Sequence, residues 1–221
     1  FLDTDSANGQ NRLRGDNLYS GNTGPITNMG DQNGANGLVF DSGFAPDHAF
    51  YVNCDSVTYE LGYSSLPTTF GGSAQYVGDG AFGSTTGILT GGSNPFLARA
   101  VLRNGSTTGV SGGTASGQIP AITNTGFELS VPLSSLGIVN QSIKVFAFIS
   151  NEAADGLSNQ FLPDVGANGA NVSNFGNPRG TGNTPRIDFN ASPGTQYFYV
   201  QPRTKPNLWM GRVGTDGATT T

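Results

Sequence analysis

No long stretch of this chain combines helical spacing of apolar residues with freedom from Gly and Pro, and that property alone rules out a helix bundle. Gly occurs 34 times and Pro 12 times in 221 residues, and the only glutamates are Glu60, Glu128 and Glu152. Between the turn residues, short segments of period-two alternation recur, the mark of half-buried strands.

In 48–55, Phe50, Val52 and Cys54 share one face against Tyr51 and Asn53; in 57–63, Val57, Tyr59, Leu61 and Tyr63 oppose Thr58 and Glu60. These two segments read as neighbouring strands joined tightly at Asp55 and Ser56. Cys54, the single cysteine, has no partner for a disulfide within the chain and reads as a small core hydrophobe. Segment 97–103 turns Ala98, Ala100 and Leu102 inward and Arg99 and Arg103 to solvent. Phe127, Leu129 and Val131 point inward ahead of Pro132, after which 133–137 reads as a turn or a single helical turn. The run 143–149 is apolar on both faces apart from Lys144, which predicts a strand at the middle of the fold. Segments 185–190 and 195–201 supply the last strands.

The predicted fold is therefore all-β: an antiparallel two-sheet β-sandwich, jelly-roll-like, with extended terminal arms and long Gly/Asn-rich loops at 2–36, 105–119 and 166–184. The expected division is an N-terminal arm over 1–35, a sandwich over 36–202 and a C-terminal arm over 203–221.

Charged residues make up only 11% of the chain and the net charge is -5, so nothing here neutralises a run of phosphates, and nucleic acid is not an expected partner. The basic residues are scattered singly, and no apolar run reaches the roughly 20 residues of a membrane-spanning helix, so membrane insertion is not expected either. A chain that begins at Phe1 rather than Met suggests a removed targeting segment. With low charge and no disulfide, the expected location is extracellular, at a bacterial cell surface.

Catalytic chemistry is thin. His48 is the only histidine and no G-x-S-x-G turn accompanies it, so a nucleophile system has no framework and His48 reads as structural. One His and one Cys are too few for a zinc site. A carboxylate pair for glycoside hydrolysis survives formally, with Glu60 and Glu128 on outward strand faces and Glu152 in a loop. Asp3, Asp5 and Asn8, and Asp31, Asn33 and Asn36, form oxygen-rich clusters of the kind calcium accepts, although Asx turns account for the same composition. No other cofactor is expected. Trp209, with Tyr197 and Tyr199, has the aromatic character of a sugar platform.

The sequences GFELSVPLSSLG at 126–137, IKVFAFIS at 143–150 and LSNQFLP at 157–163 resemble DOMON-like and family 9 carbohydrate-binding-module-like extracellular β-sandwiches of secreted bacterial surface proteins. The resemblance covers roughly 38–200 and implies that the strand, the Pro-Leu turn and the following apolar strand lie at the centre of a sandwich. The sugar-clamping modules use a pair of tryptophans where this chain has only Trp209, and the haem-binding domains use Met and His ligands, residue types present as Met29, Met210 and His48.

Leu208, Trp209, Met210 and Val213 are large apolar side chains in an otherwise polar terminus, and Phe1 and Leu2 stand at the other end. They predict an assembly interface. The expected function is a non-catalytic structural subunit of a fibre or surface layer, a homopolymer built by strand addition from a terminal arm. The alternative is a secreted carbohydrate-binding module with an extracellular polysaccharide as partner.

Overall fold

The computed structural model describes residues 1–4, 7–20, 24–31, 36–55, 57–103, 126–139, 141–163, 175–180 and 186–201. Among the described residues, regular secondary structure is mostly β-strand with almost no helix. Its elements are β1 (Leu2–Asp3), α1 (Pro25–Met29), β2 (His48–Cys54), β3 (Thr58–Ser65), β4 (Ala74–Ala81), β5 (Arg99–Arg103), β6 (Gly126–Ser130), β7 (Ile143–Val145), β8 (Ala147–Ser150), β9 (Leu157–Leu162) and β10 (Phe198–Val200). Six strands form an antiparallel sheet in the order β10-β7-β1-β2-β3-β4, and β5 with β6 and β8 with β9 form two smaller sheets.

The β2–β3 hairpin is the longest continuous ladder of the sheet, running from His48 opposite Ser65 to Cys54 opposite Tyr59. Asp55 closes its turn by accepting from the Val57 and Thr58 backbone N–H groups, each at 2.7 Å. Strand alternation sends Phe50 and Val52 to one side and Ala49 and Tyr51 to the other, so the sheet carries core on both faces. On the first side, Tyr59, Leu61, Tyr63 and Val77 pack against Ala98 just before β5, Ala100 within it and Val131 just after β6. On the second, a larger cluster gathers around Phe146, whose ring lies within about 6 Å, centroid to centroid, of Phe40, Phe44, Phe148, Phe161 and Phe189.

Several expectations give way. Segment 143–149 is not one strand: β7 belongs to the large sheet, Phe146 is fully buried at the crossing, and β8 pairs with β9 while exposing 61% of Ile149. Its two apolar faces reflect a change of sheet rather than cover on both sides. The middle of the large sheet belongs instead to β1 and β2. The N-terminal region is no arm, because Leu13, Ile26 and Met29 sit in the Phe146 cluster. Gln10 and Asn17 exchange amide bonds of 2.7 and 2.9 Å to hold that segment, and Gln10 also donates to the Pro67 carbonyl. Val57 precedes β3 and is exposed, and Cys54 is exposed at the end of β2 rather than in the core. Residues 186–191 form a parallel bridge and a short 3-10 turn rather than a strand. The turn at Leu133–Leu136 is a 3-10 turn closed by Gly137 in the left-handed region, as the Pro-Leu pattern predicts. Loop 105–119, most of 166–184, and the arm at 203–221 lie outside the described residues.

Two strand glycines are covered by the tyrosine directly across the ladder: Gly62 by Tyr51 and Gly80 by Tyr59. A Cβ on Gly62 would stand 2.1 Å from the Tyr51 ring, whose hydroxyl donates to the Ser20 carbonyl at 3.0 Å and is thereby pinned. Gly62→Val is expected to cost about 2 kcal/mol in urea unfolding, and Tyr51→Ala in the same chain to recover part of that loss.

Candidate functional site

The backbone of a sheet margin is a docking surface unless something pairs with it. The β4 margin is closed, since Asp79 and Thr90 exchange backbone bonds of 2.8 and 3.0 Å and Ser93 donates to the Tyr76 carbonyl at 3.0 Å. The opposite margin is β10, which pairs with β7 from Phe198 opposite Val145 to Val200 opposite Ile143. Among the described residues no strand pairs with its outer side. Inside the sheet, β3 pairs with β2 along its whole length, and β1 reaches β2 at Leu2 opposite His48.

At the β10 margin, Phe198 and Val200 face the cluster of Leu2, Ile143 and Val145, while Tyr199 points away and is 58% exposed. Tyr197 is half-buried. It stacks on Phe44 at 5.6 Å, meets Tyr199 edge-on at 5.7 Å, and has the Lys144 ammonium 5.4 Å from its ring centre. Burial, followed by the hydrogen bond with the Tyr199 hydroxyl, raises the Tyr197 phenol above its usual range. Of the sugar-platform residues, Tyr199 offers the exposed ring, Tyr197 is engaged with protein neighbours, and Trp209 lies outside the described residues, as do Leu208, Met210 and Val213.

Phe1 and Leu2, expected as anchors for a neighbour, are engaged within their own chain. Phe1 and Phe146 exchange backbone bonds of 2.9 and 3.1 Å, and the Phe1 ring packs against Phe40 and Phe148. A polar knot holds this strand. The Asp3 carboxylate accepts from Lys144 Nζ at 3.0 Å and from the Ala45 N–H at 3.1 Å, and Lys144 also donates to the Gly43 carbonyl. The Asp47 carboxylate accepts from the Thr4 N–H at 2.9 Å and from the Thr4 hydroxyl. His48 Nδ1 is 2.7 Å from the Tyr63 hydroxyl and its Nε2 is 3.8 Å from Asp47. Burial, with Asp47 adding to it, pushes the Tyr63 phenol up to about 12, so the hydroxyl beside the imidazole stays protonated and is a poor nucleophile. The knot ties strands together. Lys144, noted in sequence only as an interruption, and Asp47 are its unforeseen members.

The remaining candidates disperse. Asp3 is taken up by Lys144, the Asn8 carbonyl accepts from Thr68, Asn36 is exposed, and Asp5 and Asn33 lie outside the described residues. Among the described residues no group of three or more His, Cys, Asp or Glu side chains could hold a metal. Met29 is buried in the Phe146 cluster and His48 in the knot. Glu128 sits opposite Val101, and Glu152 is exposed. Glu60 lies directly across the ladder from Asp79, a carboxylate neighbour that the sequence did not reveal because 74–81 was not read as a strand.

No family model matches the chain, and neither the curated proteins nor the solved structures contain a match to it.

Two tests follow from the knot. The Asp3 side chain is 2% exposed and its partner Lys144 19%, so Lys144→Met strands a buried carboxylate and is expected to cost about 3 kcal/mol. The Asp3→Asn, Lys144→Met double variant should lose less, as read by urea unfolding. Burial, more than the opposing pull of Asp47, lowers His48 below 6.5. The imidazole binds a proton more readily when unfolded, so its contribution to stability is full above pH 6.5 and is lost as pH falls below it. The urea midpoint should decrease below pH 6.5, and His48→Gln should flatten that decrease.

Proposed function

We propose that this chain is a non-catalytic extracellular structural protein, a self-assembling subunit of a fibre or surface layer that joins its copies by strand addition. The observation that carries the reading is the β10 margin of the antiparallel sheet, whose outer side has no strand partner among the described residues. Such backbone is a template for another strand, and hydrogen bonds to it give affinity while side chains give register. The donor in this reading is the C-terminal arm, whose Leu208, Trp209, Met210 and Val213 gain burial on a neighbour. One copy's arm on the next copy's sheet is a head-to-tail contact, which does not close and so grows into a thread. Phe198–Val200 carries no charged side chain, the usual protection against such pairing. In this reading the smaller sheets complete a two-sheet sandwich of the DOMON-like type, and the location is a bacterial cell surface.

A second reading, a secreted carbohydrate-binding module, is favoured by the exposed ring of Tyr199 beside Tyr197. Pull-down on insoluble polysaccharide discriminates: retention that is lost in Tyr199→Ala and Trp209→Ala supports it.

Removal of 206–221 tests the leading reading. Sedimentation and electron microscopy of the full chain should show threads, and the shortened chain should remain monomeric with the same circular dichroism. Threads of equal length from both chains would defeat the donor arm.

A further inference from the structure

The most exposed aromatic ring among the described residues is Phe70, at 80%, and Tyr19 is 48% exposed, yet both stand on backbone that is held in place. Phe70 lies in the connection between β3 and β4, which three bonds fasten to the N-terminal segment. Gln10 donates to the Pro67 carbonyl at 2.7 Å, the Arg14 guanidinium to the Thr68 carbonyl at 2.8 Å, and the Thr68 N–H to the Asn8 carbonyl at 3.0 Å. Tyr19 follows Leu18, whose carbonyl accepts from the Ser64 hydroxyl at 2.7 Å. The buried Gln10 amide braces the stretch between them, its Oε1 accepting from the Arg14 N–H and from Asn17. Apolar surface left in water on rigid backbone marks a contact site.

The polar part of this patch is Arg14 and Asp16. Arg14 Nε donates to Asp16 Oδ1 at 2.8 Å and Nη2 donates to Oδ2, a bidentate pair open to solvent. The bond from Arg14 holds the Asp16 carboxyl below its usual range, so both groups stay charged and cancel. What remains is a set of hydrogen-bonding groups with no net charge. Phe70 is two residues beyond Thr68, which Arg14 holds, and Tyr19 is three beyond Asp16, so at most about 7 Å and about 11 Å of chain lead from those residues to the rings. Tyr19 is seated flat. An ideal Cβ on Gly24 would stand 3.1, 3.2 and 3.3 Å from three successive atoms of the Tyr19 ring, which puts one face of the ring over that glycine and turns the other outward.

We propose that Tyr19 and Phe70, with the Arg14–Asp16 pair, bind a neutral polysaccharide; this rests on the carbohydrate-binding reading above and gives it a site separated from Tyr199 by β7, β1 and β2. A pyranose presents a face of C–H groups, which stacks on a ring, and hydroxyls at its rim, each a donor and an acceptor, which a guanidinium and a carboxylate meet. Neutrality selects among polymers. A charged chain gains an ion partner here only by breaking the Arg14–Asp16 pair, whereas a hydroxyl adds to the pair and leaves it whole. Two rings on separate segments suit a chain of sugars, one unit on each.

The test is depletion of the full-length chain from solution by cellulose, chitin and starch granules, with cross-linked polygalacturonate as the charged polymer, at concentrations where the chain alone does not sediment. At least one neutral polymer should retain it. Tyr19→Ala and Phe70→Ala should each weaken that retention about tenfold with unchanged circular dichroism, and Tyr19→Trp, which keeps a ring on Gly24, should retain the wild-type level. The Phe70 variant guards against a folding defect in Tyr19→Ala, because the Phe70 side chain makes none of the bonds that fasten its loop. Retention lost in Tyr199→Ala but kept in Tyr19→Ala and Phe70→Ala overturns this inference and leaves the carbohydrate-binding reading standing at β10. Retention by polygalacturonate alone overturns it as well, since the ligand is then charged. No retention by any polymer defeats the carbohydrate-binding reading and this inference with it.

Discussion

The large sheet depends on two residues. β1 is the shortest of its strands, yet it lies between β7 and β2, so the β10–β7 pair and the β2–β3–β4 meander are joined only through it. Its hold comes from several sources at once. Phe1 is bonded to Phe146, Leu2 is paired with His48 and Val145, Asp3 is bound by Lys144, and Thr4 is bound by Asp47. Backbone pairing over so short a strand contributes little beyond its entropy cost. The charged and aromatic groups around it make the difference, which is why the few buried ionisable side chains of a lightly charged protein collect there.

The same economy shapes the core. Aliphatic residues are sparse, and the 14 phenylalanines compensate, with Phe1, Phe40, Phe44, Phe146, Phe148, Phe161, Phe175 and Phe189 in one network of edge and stacked contacts. Around it, side-chain amides do what strands do elsewhere. Asn11 alone donates to the carbonyls of Phe40, Asp41 and Phe44, and Gln10 and Asn17 lock to each other. Segments without regular structure thereby satisfy buried backbone groups and can lie against the sheet.

That use of amides explains much of what alternation could and could not reveal. The β2–β3 hairpin, the inward Ala98 and Ala100 and the outward Arg99 and Arg103 follow from period-two patterning because each strand there is long enough to show it. β1 is too short to have a period. The Gly- and Asn-rich N-terminal region reads as an arm because composition cannot distinguish an amide that faces water from one that staples a loop. Segment 143–149 reads as one buried strand because a strand that changes sheets buries first one flank and then another. At the candidate site, Tyr197 and Tyr199 were visible as alternating aromatics, but the place of β10 at the margin of the sheet was not. Which strand lacks a neighbour is a property of topology, and Leu2 pairing with His48 across 46 positions leaves no local trace.

The two margins of the large sheet are treated differently by the fold. β4 contains a bulge and an acidic residue at its rim and is covered by Thr90 and Ser93, three of the ordinary defences of an edge. β10 is short, which is another, but it carries no charge, and among the described residues no strand covers its outer side. Phe198 and Val200 are already committed to the Leu2 cluster, which leaves Tyr199 as the exposed side chain of that margin. A strand docked there makes one short ladder, and side-chain burial must supply the rest of its affinity. An incoming segment of small polar residues would not remain. One carrying a tryptophan, a leucine and a methionine has the apolar surface that so short a margin requires.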